Sequence, residues 1–440
     1  MTIYRSGSRP PLRGSLIFLL AAFATVAAAQ TPNSVPPSSA KTPDVAHQLW
    51  ISVVDPALQG PLQSSSQAYY AGELLMVPLH AAFHVNDEEW EKKFSDHFRR
   101  VLTAPDLTDV TLSRLQYLYV ASRFLALAKS FDRQQLIPAG LPEFVYGEVR
   151  AIWYERSAAQ YAHPPFTGMR GRVLFKLNSR NLGKSYYRAI LDDELFEFAI
   201  AADLRAYGGT SDQQAAWKST LDDILSTANT VYRREITRTP SGGWLLQPGA
   251  WADHPDFQYA GNPRPQHGLR PAPVSDIAWD SSHSFRLPLW ISSMIGGFPS
   301  ESRDRDYYMD LREGLARQFF AKILVPPSQE FPCYRMNNFM DGRNGVYRWG
   351  YGSLGADNGY GPYQVSGSLL FGWWAFLRTS QSTDLYRNLA NQFPWPKQCI
   401  ELYLGPNTGG RPYTDKDLDP NSSAMRVDHL LVILASKLAE

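Results

Sequence analysis

Residues Asp109 to Ser130 read DVTLSRLQYLYVASRFLALAKS, and this stretch decides the fold class. Tyr117, Ala121, Phe124 and Ala128 recur at intervals of four, three and four, which is the period of a helix. The same rhythm, broken by capping residues, turn residues and prolines, predicts helices near 44–54, 65–84, 87–103, 109–130, 143–160, 184–207, 212–232, 280–295, 304–322, 364–379, 382–393 and 422–439. Strand-like alternation is confined to short pieces, Arg172 to Leu177 and Gly243 to Gln247. The expectation is an all-α domain of about twelve helices with long loops and little strand.

Two long stretches lack helical period, about 240–277 and 326–362. The second interleaves seven glycines with Tyr347, Trp349, Tyr351 and Tyr360. Ordered loops of this length inside a compact domain usually carry function.

The composition admits a folded core: 44% of the 440 residues are hydrophobic, 13% are aromatic and 19% are charged. Forty-three basic against 42 acidic residues, with no basic stripe, exclude a typical nucleic-acid binder. Residues 1–29 have the pattern of a signal peptide, with Arg5, Arg9 and Arg13 before an apolar run, Leu16 to Val26, that ends in Ala27-Ala28-Ala29. The run is too short for a comfortable membrane span. Cleavage before Gln30 removes three arginines and turns a charge of +1 into −2. Residues 30–43 then form a flexible leader, and 44–440 a single domain in a secreted or periplasmic protein. Cys333 and Cys399 are the two cysteines; in an oxidising compartment they form either one disulfide or two separate buried thiols.

A large helical domain with aromatic loops is similar to the (α/α)6 toroid of many glycoside hydrolases and polysaccharide lyases. Ser284-Phe285-Arg286-Leu287-Pro288-Leu289-Trp290 resembles the Asp-Ala-x-Arg-x-Pro-Leu-Trp helix of family 8 endoglucanases. Ser64-Ser65-Ser66-Gln67-Ala68-Tyr69 resembles that family's Ser-Glu-Gly-Gln-Gly-Tyr, and Asn86-Asp87-Glu88-Glu89-Trp90 follows where such enzymes open a second helix. The resemblance implies the toroid. It does not carry over the catalytic pair, because Ser65 stands where the family has its proton-donating Glu and His283 where it has its Asp.

The residues themselves nominate three sites. In Trp279-Asp280-Ser281-Ser282-His283-Ser284-Phe285-Arg286, helical spacing would align Asp280, His283 and Arg286, with Trp279 as a stacking platform for a sugar. The competing reading makes Asp280 an N-cap for the amides of Ser282 or His283 and pairs Arg286 with a nearby carboxylate. The glycine-aromatic loop offers Asp341, Arg343, Arg348, Asp357 and Asn358 beside Trp349, Tyr351 and Tyr360, a mixture suited to sugar faces and hydroxyls, or else a set of turn formers. Glu155, in Trp153-Tyr154-Glu155-Arg156, is a reserve acid. Asp192-Asp193-Glu194 and Asp222-Asp223 read as surface charge.

The resulting expectation is an exported enzyme that hydrolyses a poly- or oligosaccharide with Asp280 and Asp357 as its carboxylate pair. A lyase would use His283 or a loop tyrosine as base, with Arg286 opposite a uronate. A non-catalytic glycan-binding protein of the cell envelope is the third possibility. His254, His267 and His283 have no compact metal-ligand spacing, and no cofactor, nucleic-acid partner or lasting membrane anchor is implied.

Overall fold

The computed structural model describes residues 44–103, 107–179, 182–350, 358–406 and 413–438. The expected signal peptide and leader lie outside them. Fourteen α-helices are found among the described residues: α1 Val45–Gln59, α2 Ser65–His84, α3 Glu88–Thr103, α4 Thr111–Ser130, α5 Leu141–Tyr154, α6 Met169–Asn178, α7 Asp192–Tyr207, α8 Ser211–Glu235, α9 Ser281–Ser284, α10 Leu287–Gly296, α11 Arg303–Gln318, α12 Ser380–Asn391, α13 Lys397–Leu404 and α14 Ser423–Leu438. Among the described residues strand is limited to three two-stranded antiparallel ribbons: β1 Ser157–Gln160 with β2 His163–Thr167, β3 Ile236–Arg238 with β4 Trp244–Leu246, and β5 Leu324–Val325 with β6 Arg335–Met336. The protein is all-α, and no described helix is long and apolar enough to cross a membrane.

Local chemistry explains the helix ends and faces. Ser64 Oγ accepts from the Gln67 amide while Gln67 Oε1 accepts from the Ser64 amide, a reciprocal cap that starts α2. Asp87 starts α3 by accepting from the Trp90 amide at 3.0 Å. Helix α3 then turns Trp90, Phe94, Phe98 and Val101 inward and leaves Glu88, Glu89 and Lys92 in water. Helix α4 differs, because every residue from Ser113 to Leu125 is buried. A helix buried all round must lie between others. Accordingly α2 packs on α4, α4 on α7, α7 on α10, α10 on a 3₁₀ segment Trp373–Leu377, that segment on α14, and α14 back on α2. Helices α1, α3, α5, α8, α11 and α12 pack against members of this series. Gly72 permits the tight α2–α4 contact, since a Cβ there would stand 2.7 Å from the Gln116 carbonyl.

Several elements depart from the sequence expectation. Arg172 to Leu177 is the core of helix α6, not a strand. The helix expected over 143–160 stops at Tyr154, and the β1–β2 ribbon follows. That expected over 184–207 starts only at Asp192, after a 3₁₀ turn at Ser185–Arg188. That expected over 364–379 is two 3₁₀ pieces, Ser366–Phe371 and Trp373–Leu377, joined at Gly372, where φ is +83° and a Cβ would meet Ala435 at 2.9 Å. Helix α13 was not anticipated.

Candidate functional site

The helix expected over 280–295 is two helices. Proline has no N–H and its ring opposes helical continuation, so Pro288 suits the first turn of a new helix better than the middle of an old one. Helix α9 accordingly ends at Ser284, Arg286 becomes the N-cap of α10, and its side chain turns away from that of His283.

The loop around Asn338 fixes the approach to α9. The Ser281 amide donates to the Asn338 carbonyl at 2.8 Å, Ser281 Oγ to the Asn337 carbonyl at 2.7 Å, and the Met340 amide to the Trp279 carbonyl at 2.9 Å. Asp341 accepts from the amides of Ala278 and Arg343 and pairs with the Arg343 guanidinium, so both residues organise the turn.

Within this frame Asp280 is 1% exposed, and its side chain does not cap the helix amides. It accepts instead from His283 Nδ1, 2.8 Å from each carboxylate oxygen, and from the Ser282 hydroxyl. Burial alone would push this carboxyl up. The His283 charge and hydrogen bond, the Ser282 hydrogen bond and the Arg348 charge outweigh burial and bring it to about 2. An ionised Asp280 holds a proton on Nδ1, which leaves Nε2 as the nitrogen facing the other way. Arg348 Nη2 lies 3.5 Å from that Nε2. Trp279, nearly buried, stacks parallel to the imidazole with centroids 6.3 Å apart, so its ring braces His283 rather than offering an open platform.

Arg348 enters on the antiparallel bridge between Tyr347 and Tyr360. Its Nε faces the Tyr347 hydroxyl at 3.1 Å and Asp256 Oδ2 at 3.4 Å. Burial holds the Tyr347 phenol well above its ordinary value, and therefore protonated. Tyr360 and Ser282 line a small depression with Gln364, Ser368, Tyr403 and Gly405. Trp279, Asp280, His283, Arg348 and Tyr360 are thus gathered in one region.

The remaining candidates go elsewhere. Arg286 is completely buried, donates from Nη2 to the Tyr69 hydroxyl at 2.6 Å and to Glu73, and pairs with Asp192 at 3.3 Å. No surface of it is left for a substrate. Trp349 packs in a satellite cluster with Val346, Leu269 and Tyr259. Glu155 is exposed and paired with Arg150 at 2.5 Å, sharing no partner with Asp280. Asp357 and Tyr351 lie outside the described residues. Asp192 and Glu194 are buried ion-pair members rather than surface charge; Asp222 is half-buried between Arg205 and Lys218, and Asp223 accepts from Trp153 and Tyr154. Sequence reading missed Asp256, which sits in a long loop without any motif. It also left Tyr347 among undifferentiated aromatics.

Cys333 and Cys399 form a disulfide with Cα atoms 6.1 Å apart. No three His, Cys, Asp or Glu side chains converge as a metal site among the described residues. No family model, curated protein or solved structure matches the chain.

Proposed function

We propose that the chain is an exported carbohydrate-active enzyme on an (α/α)6 toroid, and that it cleaves an acidic polysaccharide by β-elimination at His283. The cyclic packing of α2, α4, α7, α10, Trp373–Leu377 and α14 supports the toroid as its inner ring. The observation that carries the chemistry is the Asp280–His283 pair. Asp280 is held ionised and committed to Nδ1, so it is a poor proton donor and a good orienter of a base.

In this reading neutral His283 Nε2 takes the proton from the ring carbon next to a uronate carboxyl group. Arg348, beside Nε2, balances the charge that builds on that carboxylate. The released electron pair forms a carbon–carbon double bond as the glycosidic C–O bond breaks. The Tyr347 phenol gives its proton to the leaving oxygen and recovers one from His283. Arg348 takes the neutralising role in place of Arg286 because it is the cation beside Nε2; it is itself buried and faces Asp256 at 3.4 Å, so a bound uronate has to open that contact.

Hydrolysis with Asp280 and Asp357 fits less well, since both Asp280 oxygens already accept hydrogen bonds. One observation favours a non-catalytic binder: Ser65, at the position of the resembled family's proton donor, is hydrogen-bonded to Ser113 at 2.7 Å. A panel of acidic and neutral polysaccharides, read for reducing ends and for the ultraviolet absorbance of unsaturated products, separates the readings. Elimination raises both signals on an acidic polymer. Reducing ends without absorbance would sink elimination, and retardation in affinity gels without cleavage would sink the enzyme.

A further inference from the structure

We propose that the protein has a second site, unrelated to Asp280, that binds a divalent oxyanion, phosphate or sulfate, between Arg378 and Arg312 over His80. Three observations build it.

The first is a concentration of cations without a matching set of anions. Arg378 follows the 3₁₀ segment Trp373–Leu377 in a left-handed conformation, φ +53°, and is exposed. Arg312 lies on α11, which packs against that segment. Neither side chain has an ion-pair or hydrogen-bond partner among the described residues. Although Arg378 keeps surface in water, partial desolvation of its guanidinium, and then the charges of Arg123 and Arg312, make it easier to deprotonate than usual, and no carboxylate opposes them. Nearby, Arg123 is matched by Asp203 at 2.6 Å, and Glu313, the carboxylate whose charge also acts on Arg312, is largely exposed and pairs with Arg317 at 3.8 Å. Two positive charges are left over.

The second observation is an unanswered donor on the floor. His80 is completely buried, and burial followed by the Arg123 charge keeps it neutral. Arg123 Nε can only donate, and it faces His80 Nε2 at 3.3 Å. The ring proton therefore sits on Nδ1, which has no acceptor. A buried N–H without an acceptor is costly, and an oxyanion supplies what it lacks.

The third is the shape of the region. The His80 ring stacks with that of exposed His84 at 6.4 Å and lies 4.5 Å from that of Phe376, two residues before Arg378. The buried imidazole, a solvent-facing imidazole and Arg378 thus share one locality. Cations near helix C-termini offset the macrodipole. That explains Arg378 but neither Arg312, midway along α11, nor the Nδ1 donor. A surplus of two charges matches a dianion better than a carboxylate.

Thermal unfolding and isothermal titration of the mature protein test the site with sodium phosphate, sodium sulfate and glucose 6-phosphate, against sodium chloride at equal ionic strength. The expected result is saturable binding of phosphate or sulfate, weakened tenfold or more by Arg378→Gln and by Arg312→Gln. Each variant should unfold no earlier than wild type in chloride, since it relieves repulsion. Glucose 6-phosphate binding as tightly as phosphate assigns the site to an ester, and weaker binding assigns it to the free ion. No saturable effect beyond chloride, or an effect both variants retain, overturns the proposal.

Discussion

His283 presents Nδ1 to both carboxylate oxygens of Asp280 at 2.8 Å, Asp280 being the residue that immediately precedes the four-residue helix carrying His283. The contact fixes the ring's orientation and its tautomer together. Replacing Asp280 with Asn offers Nδ1 an amide donor as readily as an acceptor, so the lone pair no longer has to lie on Nε2. Asp280→Asn should therefore cut turnover about a hundredfold or more with little change in KM, and His283→Ala should do at least as much. Steady-state rates on the polysaccharide identified by the panel check this. Retention of wild-type turnover by both variants would remove His283 from the mechanism.

The same contact has a signature in acid. The folded Asp280 carboxyl lies near 2, below its ordinary value of 3.8, so its ionised form stabilises the fold. That contribution, roughly 2 kcal/mol, is fully present above pH 3.8 and is lost as the pH falls towards 2. Asp280→Asn should therefore be less stable than wild type at pH 6, and the gap should close between pH 4 and pH 2. Urea unfolding at a series of pH values measures it. A gap that stays constant over that window would mean that Asp280 is not held ionised by its neighbours.

Arg286 joins α10 to α2 and α7 through Tyr69, Glu73 and Asp192, all buried. Arg286→Met leaves Glu73 and Asp192 buried without their cation, a situation that costs about 3–5 kcal/mol. Burial already raises the Glu73 carboxyl, so part of the loss is recovered by protonation. The loss of stability should thus shrink as the pH is lowered from 8 to 5, and Glu73→Gln added to Arg286→Met should restore part of it. Chemical denaturation of the two variants at both pH values is the measurement. An Arg286→Met protein as stable as wild type would show that the charges are solvated after all.

What the sequence could and could not disclose follows from where charges lie. Helices such as α2 and α3 were legible because their caps follow the rules and α3 turns Trp90, Phe94 and Phe98 inward, even though each helix also buries a glutamate, Glu73 and Glu91. Helix α6 inverts that pattern. Arg172 and Lys176, one turn apart, are buried with Val173 and Leu177, and Arg172 and Lys176 both reach Glu194 at 2.8 Å on α7. Reading charge as surface turned α6 into a strand and Glu194 into solvent-facing charge. Trp279, Asp280 and His283 were recognisable as neighbours from spacing alone. Pro288 was a legible signal for the break that takes Arg286 out of that set, but the buried partners Arg286 meets on two distant helices left no pattern to read. Asp256 and Tyr347 approach Arg348 through loop packing, which leaves no period to read.

The Cys333–Cys399 bond resolves an ambiguity that composition left open, and it has a measurable consequence. The two residues are 66 positions apart and both are buried, so the bond closes a long loop in the unfolded chain and is shielded in the folded one. The chain-entropy estimate for such a loop is about 4 kcal/mol. The loss on removal should fall somewhat short of that, because Tyr403 donates to the Tyr334 carbonyl at 3.0 Å beside the bond and keeps the two segments together when sulfur does not. Cys333→Ser with Cys399→Ser is accordingly expected to lose about 2–4 kcal/mol in guanidinium unfolding while keeping the native circular dichroism. Wild type should lose the same amount only when reductant is present during unfolding, since the native bond is covered. Cys333 also stands five residues before Asn338, whose carbonyl holds the Ser281 amide at the entry to α9. If the bond positions that loop as well as stabilising the fold, turnover of the double variant will fall at temperatures far below its unfolding transition. Unchanged turnover there would confine the disulfide to stability.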